Sequence, residues 1–175
     1  IAWHDGSPLS VGDFVMAMIL NFGPAKAESA IYDEAQVPSL EAFMSYFKGV
    51  KIVSTDPLTI ETYVDLYYLD AEANVWGWYP NYAYGTCSWH AMTLGIQAES
   101  AGRLAFTSDE ANNLGVEYMS YISGPSMPIL EEYLLADVAS PLIPYAPTLG
   151  QFVTAEEAAA RFANLQAWYD TRHHL

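Results

Sequence analysis

Basic side chains are scarce in this chain, with 6 lysines and arginines against 21 aspartates and glutamates and a formal charge of -15. Nucleic acids and anionic membrane surfaces are bound mainly through lysine and arginine, so neither is an expected partner. The acid excess favours a soluble, self-repelling surface and also attracts cations. Cysteine is nearly absent: Cys87 stands alone, so no internal disulfide can form and cysteine usage does not diagnose a redox compartment. Long apolar runs are missing too, since 52% hydrophobic residues are dispersed and no stretch reaches the ~18 to 20 that a membrane span requires. The first residues hold no basic segment followed by an apolar one, so no signal peptide is expected here. The opening on Ile1 suggests a chain processed or excised from a longer one. Metal-ligand spacing is lacking as well. His4, His90 and the pair His173-His174 form no H-x-x-x-H pattern, so neither a metal nor a cofactor is expected. There is no internal repeat or low-complexity linker, and 175 residues suit a single domain over 1–175 that is an internal part of a larger protein.

What the chain does have is a dense opening run, Trp3-His4-Asp5-Gly6-Ser7-Pro8-Leu9-Ser10, followed by Val11-Gly12-Asp13-Phe14-Val15-Met16. Asp5-Gly6 supplies a turn, because glycine takes positive φ freely and aspartate bonds its own backbone two residues on. Ser10 stands three residues before Asp13, the spacing at which an N-cap hydroxyl and a first-turn carboxylate satisfy the free amides of a helix start. Leu9 and Phe14 flank that cap as a hydrophobic staple. Val11, Phe14, Val15, Met18 and Ile19 then fall on one helical face, predicting a helix from Val11 to about Leu20 that Asn21-Phe22-Gly23-Pro24 ends.

The order of residues in this run resembles the W-H-D-G-x-P-L-[ST]-x-x-D-[VF]-V pattern of bacterial extracellular solute-binding proteins of family 5, the peptide, oligopeptide and nickel receptors of ABC importers. Trp3, His4, Asp5, Gly6, Pro8, Leu9, Ser10, Asp13 and Val15 carry the match. A second landmark follows in the right order, a strand, an aspartate-based turn and a new strand at Asp56, Thr59 and Ile60, with Pro57 where the family has a polar residue. The resemblance covers the first third to two-fifths of the chain. It implies part of one lobe of a type II periplasmic-binding-protein-like receptor, a non-enzymatic protein that binds a peptide or other small solute and hands it to a membrane permease. That setting is periplasmic or at the cell surface, with any membrane attachment through a lipid anchor outside this chain.

Further along, Ala25 to Gln36 fits a short helix or a loop. Ser39 is expected to cap a second helix through Leu40, Phe43, Met44 and Phe47, ended by Gly49. The period then changes to two, and Val50 to Leu66 predicts an antiparallel hairpin turning at Asp56-Pro57, with Ile60, Thr62 and Val64 on one side. Helices are expected from Trp89 to Ala101, from the Thr107 capping box to Gly115, from near Pro128 to about Val138, and from the Thr154 capping box to about Thr171. In the last of these, Ala158, Phe162, Leu165 and Tyr169 form the buried face. Val116 to Ser123 fits a strand or a helix, and Pro141 to Gly150 should be extended. The fold class is thus α+β, mainly helical with one antiparallel β-hairpin.

Binding is expected from aromatics. Tyr67 to Trp89 sets Trp76, Trp78, Tyr79, Tyr82 and Tyr84 among glycine, proline and asparagine, which reads as an aromatic loop. Tryptophan and tyrosine offer rigid apolar area with a polar handle, so Trp76, Trp78 and Tyr79 are ligand-binding candidates, against the alternative that they seal a loop onto the core. The resemblance adds Tyr32, at the place where a tyrosine of the oligopeptide receptors reaches the cleft. No catalytic residue is expected. The competing readings are a small hydrolase using Cys87 as nucleophile with His90 as base, and an aromatic-rich protein interaction module.

Overall fold

At Ser10 the backbone leaves an extended turn and enters α1 (Val11–Phe22). Ser10 Oγ accepts from Gly12 N at 3.2 Å, and Asp13 Oδ2 accepts from Ser10 N at 2.8 Å, so the two side chains cap the helix reciprocally. The computed structural model describes residues 1–76 and 87–175, with the side chains of residues 75 and 76 outside the description. Burial on α1 is broader than a stripe: Val11, Phe14 and Val15 are buried as expected, but so are Met16, Ala17 and Leu20, while Met18 and Ile19 are only half-buried. Leu9 stays 39% exposed, so the staple contributes little apolar burial on its side.

The described residues form two compact units, one of residues 1–16 and 87–175 and the other of residues 17–76. In the second unit, the end of α1 leads through 3-10 turns at Gly23–Ala25 and Glu34–Gln36 into α2 (Val37–Tyr46). The latter turn is capped by Asp33 Oδ1, which accepts from Ala35 N at 2.9 Å. Ser39 is not the cap of α2. Pro38, with its fixed φ and no N–H to lose, suits the first turn, so the helix opens at Val37 and takes Ser39 into its body. Nor does Gly49 end it. Phe47 leaves the helix early, stacks on Phe43 at 4.6 Å between ring centroids and pairs with Val64, starting the hairpin three residues ahead of Val50.

That hairpin is β1 (Phe47–Thr55) with β2 (Leu58–Val64), antiparallel, with Ile52 opposite Ile60 and Lys51 opposite Glu61. Ile60, Thr62 and Val64 are half-buried while Thr59, Glu61 and Tyr63 are exposed, the alternation that a one-sided sheet imposes. After it, α3 (Ala71–Trp76) occupies part of the expected aromatic loop.

The first unit is helical. α4 (Trp89–Ser100) is buried nearly all round, including Trp89, Leu94 and Ala98, and so acts as the central rod of this unit. Trp89, where the aromatic loop was expected to end and this helix to begin, is the first residue of the rod and is completely buried. α4 packs against α6 (Ser126–Ala139) and α8 (Ala155–Arg172), which also pack on each other. Leu104–Ala105 (β3) pairs in parallel with Glu117–Tyr118 (β4), a two-residue contact on either side of α5 (Ser108–Leu114). Thr107 Oγ1 caps α5 by accepting from Glu110 N at 3.1 Å, and Gly115, at φ 67, closes it. Thr154 Oγ1 caps α8 in the same way, accepting from Glu157 N at 3.1 Å. Pro141 to Gly150 is not fully extended: Tyr145, at φ 50, turns the chain into α7 (Ala146–Leu149), with Pro147 in its first turn. Ala158, Phe162, Leu165 and Tyr169 are buried as the spacing requires. The molecule is α+β and mainly helical, with one antiparallel hairpin among the described residues.

Candidate functional site

Among the described residues, two places combine geometry with chemistry, one in each unit. In the first, the opening run is gathered around Arg161 of α8, only 1% exposed. Its Nε donates to Glu157 Oε1 at 2.9 Å, one turn back on the same helix. Its Nη2 donates to Pro8 O at 2.6 Å and to Ser10 Oγ at 2.8 Å, and its Nη1 lies 3.3 Å from Asp13 Oδ1. Asp13 also accepts from the backbone N of Trp89 at 2.9 Å, which ties the start of α4 to the start of α1. The guanidinium sits over the Trp89 ring at 5.7 Å. A planar, five-donor cation is the side chain suited to so many acceptors at once.

His90 continues the network. Its Nε2 lies 2.7 Å from Asp5 Oδ2 and 3.2 Å from Ser88 Oγ, while its Nδ1 faces Arg161 Nη1 at 3.5 Å. Arginine only donates, so Nδ1 is the acceptor and the ring proton resides on Nε2, bonded to Asp5. Burial holds His90 below the usual imidazole range, against the pull of Asp5 in the other direction. For Asp5, burial pushes the carboxyl up, but the bonds from His90 and Ser7 outweigh it and keep it below the usual carboxylate range.

Serine and aspartate thus meet the same imidazole nitrogen. A hydrolytic triad needs them on opposite nitrogens, so that the base can take a proton from the nucleophile while the acid orients it. Cys87 is no better placed, because burial pushes its thiol up and both nitrogens of His90 face other groups. The network's chemistry is to hold the turn, the start of α1, α4 and α8 together. Beside it, Trp3, Cys87, Ser88, Leu165 and Trp168 line a cleft of about 130 Å³, small for a ligand site. His4, at its edge, stacks on Trp168 at 5.9 Å. Among the described residues no group of three His, Cys, Asp or Glu side chains is gathered as a metal site would be. No helix among them is long and apolar enough to cross a membrane.

In the second unit, a groove of about 460 Å³ opens between the end of α1 and α2. Leu20, Pro24, Leu40 and Phe43 give it apolar walls, and Asn21, Gln36, Ser39 and Tyr46 add polar groups. Its volume falls in the range of small-molecule sites. Asn21 Nδ2 is buried there without a hydrogen-bond partner.

Of the four expected ligand contacts, only Tyr32 has its side chain among the described residues. Tyr32 is half-buried and its amide bonds to Ser29 O at 3.3 Å, but it does not line the groove. Trp76 ends α3, with its side chain outside the description, and Trp78 and Tyr79 lie outside the described residues. Arg161 escaped the sequence reading, although a signal existed. It falls at helical spacing among Ala158, Phe162 and Leu165, on the face expected to be buried, where a cation requires partners. The groove left no such trace, because its walls come from a helix end and a helix side that no motif links. Comparison of the chain with models of protein families and with curated proteins gives no match.

Proposed function

We propose that this chain is part of an extracytoplasmic solute-binding receptor of an ABC importer, a non-enzymatic protein that captures a peptide or other small solute and passes it to a membrane permease. The observation that supports the reading most is the use made of the opening run. Asp5, Ser10 and Asp13, three of the residues that carry the resemblance, each make hydrogen bonds that fix the turn and the helix start. The motif therefore has a physical reason to keep those residue types as a scaffold landmark, separate from whichever solute is bound. The hairpin follows the helix in the order that the resemblance implies.

A receptor of this kind closes over its solute because the closed form binds it better. Affinity then comes from enclosure, with about 70 to 90% or more of the ligand surface removed from water. Calorimetric titration of the parent receptor with pooled short peptides, a sugar pool and nickel tests the reading. Micromolar heat from one pool, together with compaction in small-angle scattering, is the expected result. Turnover of any added ester or peptide, abolished by Cys87→Ala, would replace the receptor reading with the hydrolase one.

A further inference from the structure

We propose that His90 is an acid-sensitive latch on the opening turn: when its imidazole takes up a proton, residues 3–9 come away from α4 and α8 while those helices stay folded. The neutral ring is matched on both sides, with Nε2 donating to Asp5 Oδ2 at 2.7 Å and Nδ1 turned to Arg161 Nη1 at 3.5 Å. A second ring proton would sit on Nδ1 and point at a nitrogen that only donates, bringing two cations together where one donor met one acceptor. The surrounding groups are already committed. Asp13 of α1 accepts from Ser10 N, Trp89 N and the guanidinium, and Glu157 of α8 is held by Arg161 Nε. Ser88 Oγ stands at Nε2, and the rings of Trp89 and Phe162 meet the imidazole edge-on without offering an acceptor. Burial opposes the imidazolium most, Asp5 favours it, Arg161 opposes it and Asp13 favours it, and the balance keeps His90 below the usual imidazole range.

The turn is the part of this shell that yields most easily. Ile1, Ala2, His4, Gly6, Pro8 and Leu9 are exposed, whereas α4 is buried nearly all round. Asp5 bonds His90, and Pro8 O and Ser10 Oγ accept from Arg161 Nη2, so three ties of the turn run through the two groups that protonation sets against each other. Asn164 Nδ2 on Ser7 Oγ at 3.3 Å and the stacking of His4 on Trp168 add to them. Protons have a way in, because Asp5 and Ser88, which both meet Nε2, line the cleft of about 130 Å³. Cys87 beside them stays a neutral thiol, since burial pushes it up. Once the turn lifts, water hydrates the imidazolium that the closed form leaves without an acceptor. The open form therefore binds the proton more tightly, and acid shifts the population towards it.

Amide hydrogen exchange of the 175-residue chain, corrected for the intrinsic rate at each pH, reads the latch at about pH 7 and about pH 5. The amides of Trp3, Gly6 and Leu9 bond to Ser7 O, Trp3 O and Ile1 O within the opening segment, too few bonds to persist once it is detached. They should lose about tenfold in protection at the lower pH, while amides of α4 and α8 in the same sample stay at least about a hundredfold better protected. His90→Gln keeps a donor for Asp5 and an acceptor for Arg161 but takes up no proton, so protection of its turn should no longer depend on pH. His4→Gln, at an exposed position of the same turn, should leave the response intact. In the wild-type chain the nitrogen shifts of the His90 ring should follow the same titration curve as the loss of protection, a comparison that needs no variant. Turn protection equal at the two pH values, one protection factor shared by turn and helices, or an imidazole curve displaced from the exchange curve would overturn the proposal. So would a response that survives His90→Gln or vanishes in His4→Gln.

Discussion

Arg161 shows how much one side chain decides. A buried cation is tolerable only when its partners repay the lost hydration, and here Glu157, Asp13, Ser10 and Pro8 O do so together. Arg161→Ala should destabilise the first unit by about 3 to 5 kcal/mol, because the carboxylate of Asp13 is left buried without its counter-charge. Arg161→Lys should recover only part of this, since a single ammonium does not span acceptors set out for a planar fork. Urea midpoints of the three proteins measure it, and equal midpoints for alanine and wild type would refute the role. His90 gives a spectroscopic check. Long-range nitrogen–proton NMR should find its neutral ring protonated at Nε2 at pH 7, and protonation should begin only below the usual imidazole range, because burial holds the group down. Since the unfolded chain takes up that proton near 6.5 and the folded chain refuses it, this residue withdraws stability as pH falls below 6.5.

Among the elements, helix ends were the most legible. Ser10, Thr107 and Thr154 all cap where their spacing placed them, because capping is settled by residues within one turn of each other. Ser39 was misread for the complementary reason: a proline one position earlier decides the same boundary, and the pairing of Phe47 with Val64, set by the second strand, decides the other end. Ser10→Ala should cost about 1 to 3 kcal/mol, more than an isolated cap, because the hydroxyl also accepts from Arg161 at 2.8 Å. Within α4, Gly95 has no room for a side chain: an added Cβ would overlap the Tyr121 hydroxyl, Met119 Sδ and Phe106 Cζ. Gly95→Ala gains helix propensity of ~1 kcal/mol, yet the overlap should outweigh it and leave the protein about 1 to 3 kcal/mol less stable. A melting temperature at or above wild type would show that those neighbours yield freely. Where α4 meets α6, burial pushes the Asp137 carboxyl from 3.8 up to about 6, against the bond that Gln97 donates to it at 2.7 Å. Between about pH 4 and 6 the folded chain keeps a proton that the unfolded chain has shed, so this residue withdraws stability as pH rises through that window. Asp137→Asn keeps an acceptor for Gln97, and its denaturant midpoint should exceed wild type at pH 7 but match it at pH 3.5.

At the scale of the whole chain, the α+β class was readable because hydrophobic period and turn residues are local signals. The centre of the first unit was not. Several of its pairs join residues 147 to 153 positions apart, such as Ser10 with Glu157 and Pro8 with Arg161, and nothing near Ser10 in sequence announces a guanidinium. The candidate site was the least legible part, since two of the four expected contacts, Trp78 and Tyr79, lie outside the described residues and the groove is assembled from unlinked positions.

The discontinuity of that unit, residues 1–16 and then 87–175, sets an order in time. A ribosome adds about 5 to 20 residues each second, so the opening turn leaves the exit tunnel on the order of ten seconds before α8 exists to neutralise Asp13. During that interval Trp3, Phe14 and Val15 are exposed and the capped helix start has lost its cation. Closure therefore waits for α8, and nascent chains stalled before Arg161 should be cut by protease within residues 1–16, whereas chains released after α8 has emerged should be protected there. Residues 1–16 of such a chain are thus open to chaperones and proteases for as long as the residues up to Arg161 are still being synthesised.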